Sequence, residues 1–402
     1  MGNAGKFDAE TVLRARVLLL GSEPLTLRER LGAYRVLATA SPRAYVPKLV
    51  DALVERAHEL RDPELHLALI GEAAAAARRI EADAPGGKER RERVLGTYEH
   101  ALFAVGRRAE GRAVCEELAE AGSYRRLAIV LAEEGRHGEA AELYGRHVES
   151  GESASPWRLI EWAAELDAAG RREEALQAFG GLVDGSRRKA AEDRGPLASL
   201  VWQLDQYARM LGAAGRDAEE AAARSEALAL LGRLARGGEP VSWSNIQASW
   251  VTLLVLSGRP DEPAATPDAP LPAFGAHPVH GWSPDVREHY FASLPALERE
   301  SATLRASGDL PGLIVAQRRL TVRRALHWET SGRRAEESLR PSFDEGVALA
   351  RRLREGRSTL SRALTDRAMF LLAVKRYEEA HADFTEATAV RSGDPRPIVT
   401  RT

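Results

Sequence analysis

GRHGEAAELY at 135–144 and GRREEALQAF at 170–179 are nearly the same ten letters, written 35 residues apart. After the first glycine, Ala140, Leu143, Tyr144, His147 and Val148 recur at i, i+3, i+4, i+7 and i+8, which is one face of a helix. The stretch before it gives Tyr124, Leu127, Ala128 and Leu131, again one face. Gly135 stands between them, and glycine readily takes the left-handed conformation that ends a helix. The spacing predicts helix, turn, helix. The second copy repeats the unit, with Trp162, Ala163 and Leu166 before Gly170 and Ala175, Ala178 and Phe179 after it.

Further copies of the turn stand at 106–111 (GRRAEG), 215–220 (GRDAEE), 258–263 (GRPDEP) and 332–337 (GRRAEE). A last copy, KRYEEAHADF at 375–384, has Lys375 in the glycine place. From Gly106 to Gly258 the steps are 29, 35, 45 and 43 residues, and Gly332 to Lys375 is 43 again. A period in this range is the mark of a solenoid. One helical pair cannot bury its apolar face alone, so stacked neighbours share a core.

These residues resemble the tetratricopeptide repeat, in its extended form common in bacterial regulatory proteins. Tyr124, Leu127, Ala128, Gly135, Ala140 and Tyr144 follow that family's pattern in order, as do Leu159, Trp162, Ala163, Gly170, Ala175 and Phe179. The last unit follows a variant in which Arg367 and Ala368 replace the Leu-Gly pair, completed by Ala380, Phe384 and Ala387. The resemblance is good over 123–184 and 358–390, moderate over 87–122, 196–258 and 310–357, and faint before 86. It implies an all-α, right-handed superhelical solenoid of helix-turn-helix repeats. Ala140 and Ala175 are expected where the two helices of a pair cross, since a bulkier residue would force them apart.

Composition narrows the function classes. The 57 basic and 59 acidic residues nearly cancel, which argues against a nucleic-acid partner and against a polybasic membrane surface. The excess of Arg over Lys, with abundant Ala and Gly, reads as the codon bias of a GC-rich genome. The single cysteine, Cys115, excludes an intramolecular disulfide and is expected as a buried small hydrophobe. No apolar run of membrane-spanning length and no signal-peptide core occur, so a cytoplasmic location is expected. MGNAGK at the start lacks the spacing and the Ser or Thr of a phosphate loop. No catalytic or metal motif stands out, and neither cofactor nor metal is expected. Trp162, Trp202, Trp243, Trp250 and Trp328 are expected in the core.

One stretch breaks the helical pattern. Residues 259–284 hold seven of the twenty prolines, a density no helix survives. Helical periodicity resumes at 285–306 and continues at 310–330. Phe274, Trp282, Tyr290 and Phe291 lie in or beside this insert with His277, His280 and His289. The expected role is a loop that pins itself to the array by its aromatics, with partner contact through Phe274, His277, His280 and Trp282 as the alternative. The organisation is thus an N-terminal helical region over 1–86, an array over 87–258, the insert over 259–284, further pairs over 285–390 and a tail over 391–402.

The resemblance implies a concave groove lined by the first helix of each pair. It assigns Arg125, Arg126, Ile129, Glu133, Trp157, Glu161, Thr365, Asp366 and Met369 to that groove. The family's carboxylate clamp uses Lys and Asn where this chain has Arg125 and Ile129, and Asp366 adds negative charge, so the clamp is not expected. The reading is a non-catalytic scaffold that binds a protein or peptide, with Arg125 and Arg126 pairing acidic groups and Trp157 packing apolar ones. A ligand-responsive sensor for a small peptide or metabolite is the alternative. An enzyme using His277, His280 or His289 as acid–base group ranks third. Oligomeric state is not legible.

Overall fold

The structure is a computed structural model that describes residues 8–21, 24–81, 84–149, 155–241, 246–278, 280–331, 335–353 and 356–393. Those residues form nineteen α-helices, one short 3-10 turn and two isolated β-bridges, so the chain is all-helical. Two compact units result, residues 1–127 with 283–285, and residues 128–282 with 286–402.

The first unit holds α1 (Ala9–Leu20), α2 (Leu27–Ala40), α3 (Pro42–His58), α4 (Pro63–Ala77), α5 (Gly87–Ala104) and α6 (Arg108–Glu120), each packed on the next. Local chemistry sets the boundaries. Thr26 and Glu29 form a reciprocal capping box at the start of α2. Asp62 accepts the Glu64 and Leu65 N–H groups at the start of α4, with Pro63 in the first turn where no donor is needed. The core is built from Val50, Leu53, Ile70, Leu102 and the alanines Ala73, Ala74, Ala76 and Ala77, whose small side chains let helices approach closely. Cys115 is fully buried on α6. Helix α7 (Arg125–Glu133) begins in this unit and ends in the second.

The second unit continues with α8 (His137–Glu149), α9 (Pro156–Ala168), α10 (Arg172–Ala191), α11 (Leu197–Ala213), α12 (Asp217–Gly237) and α13 (Ile246–Gly258). After the insert come α14 (Pro284–Ala292), α15 (Leu294–Ser307), α16 (Leu310–Ser331), α17 (Ala335–Arg352), α18 (Arg357–Ala373) and α19 (Tyr377–Ser392). The final pair does not simply extend a row. α19 packs on α12, and α13 is sandwiched among α11, α16 and α18. Trp250 of α13 lies 5.7 Å from Phe370 of α18 and 6.2 Å from Phe343 of α17, ring centre to ring centre. The Trp202 indole donates to the Met369 carbonyl at 3.2 Å, joining α11 to α18.

Five of the turns marked in the sequence take one form, which Gly308 also adopts between α15 and α16 with the Asp309 N–H donating to the Leu304 carbonyl. Gly106, Gly135, Gly170 and Gly215 have φ between 72° and 79°, and Lys375 takes the same left-handed conformation at φ 63°. At each, the next N–H donates back to a leucine carbonyl five residues earlier: Arg107 to Leu102, Arg136 to Leu131, Arg171 to Leu166, Arg216 to Leu211 and Arg376 to Leu371. This 6→1 closure satisfies carbonyls that a helix end otherwise strands. Arg107, Arg136, Arg171 and Arg216 then each grip the glutamate three residues on. Ala128, Ala140, Ala163, Ala175, Ala368 and Ala380 are completely buried beside these turns.

The structure corrects three expectations. Gly258 does not make the turn: its φ is −85°, a 3-10 turn Arg259–Asp261 follows, and no partner helix forms. Pro263, Pro267, Pro270 and Pro272 follow in close succession and bias the residue before each away from helical backbone, so no second helix is built. The periodic stretch 285–306 is two helices broken at Ser293, not one. Trp162 is only half-buried, whereas Trp202 and Trp250 are core residues. The expected turn around 332–334, Trp243 and the side chain of Trp328 lie outside the described residues.

Candidate functional site

The insert is laid along the faces of α7 and α9 that were expected to line an open groove. Its entry is anchored by Glu262, a buried carboxylate that accepts from the Arg323 guanidinium at 2.9 and 3.0 Å and from the Tyr290 hydroxyl at 3.2 Å. Arg323 also stacks over the Tyr290 ring, 4.1 Å from its centre. Burial and the adjacent Glu262 carboxylate push the Tyr290 phenol well above its ordinary range, so it stays a neutral donor.

From there the chain makes a tight turn, Thr266 and Ala269 exchanging backbone bonds at 3.1 and 3.2 Å around Pro267. The Leu271 N–H then donates to the Glu133 carbonyl at the end of α7, 2.9 Å away. Pro270 and Pro272 flank that single donor and fix the backbone on either side of it. Beyond it Ala273, Phe274 and Ala276 are buried. Phe274, Trp282 and Tyr290 form an edge-to-face cluster with ring centres 5.5–6.5 Å apart, and the Trp282 indole donates to the Ala273 carbonyl at 3.2 Å.

Two glycines make the approach possible. A Cβ on Gly275, whose φ is 107°, would stand 2.7 Å from the Ala164 Cβ and 3.4 Å from the Ile160 carbonyl of α9. A Cβ on Gly135 would enter the Ala265 carbonyl, with the carbonyl carbon 3.1 Å away. The backbones therefore touch where side chains are missing.

This arrangement changes the status of the groove residues. Ile129, Glu133 and Glu161 are buried, not open to a partner, and the insert bonds the Glu133 carbonyl and passes close to Glu161. Trp157 is half-buried and meets His277 of the insert edge-on at 5.7 Å. Arg126 is not poised for an acidic partner: it pairs with the buried Glu99 of α5 at 2.8 Å. Arg125 is half-buried. Thr365, Asp366 and Met369 are also buried, because α18 turns that face toward α11 and α13 rather than toward water. There Asp366 accepts from Arg318 at 2.7 Å and Arg209 at 3.1 Å. Burial alone raises the Asp366 carboxyl, but the two guanidiniums outweigh it and hold the group below the usual carboxylate range.

Phe274 and Trp282 are interior residues, which removes them as partner contacts. His277 and His280 stack on each other at 4.9 Å, and His289 is exposed on α14. Among the described residues no three His, Cys, Asp or Glu side chains are grouped to hold a metal ion. No helix among them is long and apolar enough to cross a membrane.

The anchors Glu262, Arg323 and Tyr290 are absent from the groove expected from sequence. A buried acid beside Pro263 and an arginine on a helix with four (Arg318, Arg319, Arg323, Arg324) read individually as solvated groups. The only usable signal is that Glu262 stands at the head of the proline-rich stretch, in which Asp268 is the single carboxylate up to Pro284. Comparison with protein-family models and with curated proteins finds no match for the chain.

Proposed function

We propose that this chain is a non-catalytic recognition protein, a tetratricopeptide-like scaffold whose inner helical face binds an extended peptide segment of a protein partner. One observation carries the reading. The faces of α7 and α9 already hold an extended, proline-rich peptide, the chain's own insert, through a backbone hydrogen bond to Glu133 and through glycine-sized contacts at Ala164. Such a face offers what extended-peptide recognition uses: a main-chain partner, a rigid helical floor, and a low ordering cost when proline fixes the ligand in advance.

The test separates floor from occupant. Residues 263–277 are replaced by a Gly-Ser linker of equal length, and a synthetic peptide of residues 262–278 is titrated in trans by fluorescence anisotropy. One-to-one saturable binding is expected, falling at least tenfold when the peptide carries Phe274→Ala. A variant that keeps its helical circular dichroism but does not bind the peptide refutes the reading.

A further inference from the structure

Helices α13, α16, α17 and α18 surround a cavity of about 370 Å³ that the groove reading does not use. Its walls are largely apolar, with Leu254, Ile314, Val315, Val322, Phe343 and Leu353 beside the hydroxyls of Thr321, Ser342, Ser358 and Thr359. Val315 is 48% exposed, a large apolar side chain left in water. Gly346 also lines the cavity, and a Cβ there would meet nothing within 4 Å. One end of the cavity is charged. Arg362 pairs with Asp261 at 2.6 Å, and Arg318 bonds Asp261 and Asp366 at 2.7 Å each.

The charged groups that line it are Arg318 and Arg362 with Asp261 and Asp366, and the ion pairs run on through Arg209 to Asp205. Burial and the neighbouring Arg318 press the Arg362 guanidinium below its ordinary pKa. Both bonds from Arg362 to Asp261 leave from its terminal nitrogens, so its Nε–H edge lies outside the pair.

We propose that this cavity binds a small molecule with an apolar body and a single carboxylate, the body against Leu254, Val322 and Phe343 and the carboxylate on Arg362. The volume falls in the range of small-molecule sites. At about 30 Å³ per water-sized group it holds roughly a dozen heavy atoms, the size of decanoate. The carboxylate accepts from the Nε–H edge of Arg362 that the Asp261 pair leaves aside, and a largely apolar wall rejects a fully polar anion.

The experiment is calorimetric titration of the full chain with decanoate, decanol and decylammonium. Saturable one-to-one binding of decanoate is expected, at least tenfold tighter than decanol, with decylammonium weakest. Arg362→Met brings decanoate to the level of decanol. Gly346→Leu, which fills the cavity and places a better helix former in α17, abolishes binding of both. Circular dichroism of each variant verifies its helical content. The proposal is overturned if wild-type protein does not bind decanoate, if decanol or decylammonium binds as tightly, or if the folded Gly346→Leu protein still binds.

Discussion

Gly135 and Gly170 are a natural matched pair. Their φ angles are 78° and 79°, and each closes the same helix-ending turn. They differ in what lies outside: open space around Gly170, the Ala265 carbonyl against Gly135. Alanine at either site forces a left-handed L-residue, which costs about 1–2 kcal/mol. Roughly 0.4–1 kcal/mol returns because alanine narrows the unfolded ensemble. Gly170→Ala is therefore expected to destabilise by about 1 kcal/mol. Gly135→Ala carries the same backbone cost plus a steric one, since Ala265 must retreat until ordinary contact is restored, and overpacking of this kind costs about 1–3 kcal/mol more. Urea unfolding of the two variants measures the difference, and limited proteolysis reads whether cleavage rises at 263–269. In the background where the insert is a Gly-Ser linker, the two alanines cost the same, which makes the excess a coupling energy between turn and insert. Equal costs in the intact chain refute the placement of the insert on α7.

Two further outcomes are expected. Lys375→Gly relieves a left-handed lysine with φ 63° and raises stability by about 0.5–1 kcal/mol, read as a higher unfolding midpoint. Asp366→Asn breaks a buried ion cluster at a cost of about 3–5 kcal/mol. Because the folded Asp366 carboxyl is held below its unfolded value, its contribution is complete above about pH 4 and is lost as pH falls through the folded pKa. The acid limb of the wild-type stability profile is steeper than that of Asp366→Asn, and matching limbs contradict the cluster's role.

The paired helices were legible because their signals are local. Gly at the turn, Ala at the crossing and an aromatic four residues later act within one unit, and the register even places Lys375 in the conformation that glycine holds elsewhere. The same letters failed at Gly258, where closely spaced prolines bias the residues before them away from helical backbone. What the groove contains was not legible. The contacts that seat the insert use the Glu133 carbonyl and the bare Cα atoms of Gly135 and Gly275, groups that carry no side-chain signal. The ion cluster was hidden for another reason. Asp261, Arg318 and Asp366 come from three separate segments, and each alone reads as an exposed charge. That α18 folds back toward α11 is a property of the tertiary arrangement, and it turned three expected groove residues into interior ones.

The bond between Leu271 and Glu133 spans 138 residues of chain. A ribosome adding about 5–20 residues per second takes roughly 7–28 s to cross that distance. Helix α9 is held by α8 and α10, its neighbours in sequence, and can form as it emerges, whereas the insert that covers it has not yet been made. Every newly synthesised molecule thus passes through an interval in which this helical face is complete and bare. During synthesis, any partner suited to that face meets no rival from the same chain, and the order of translation decides which of the two arrives first.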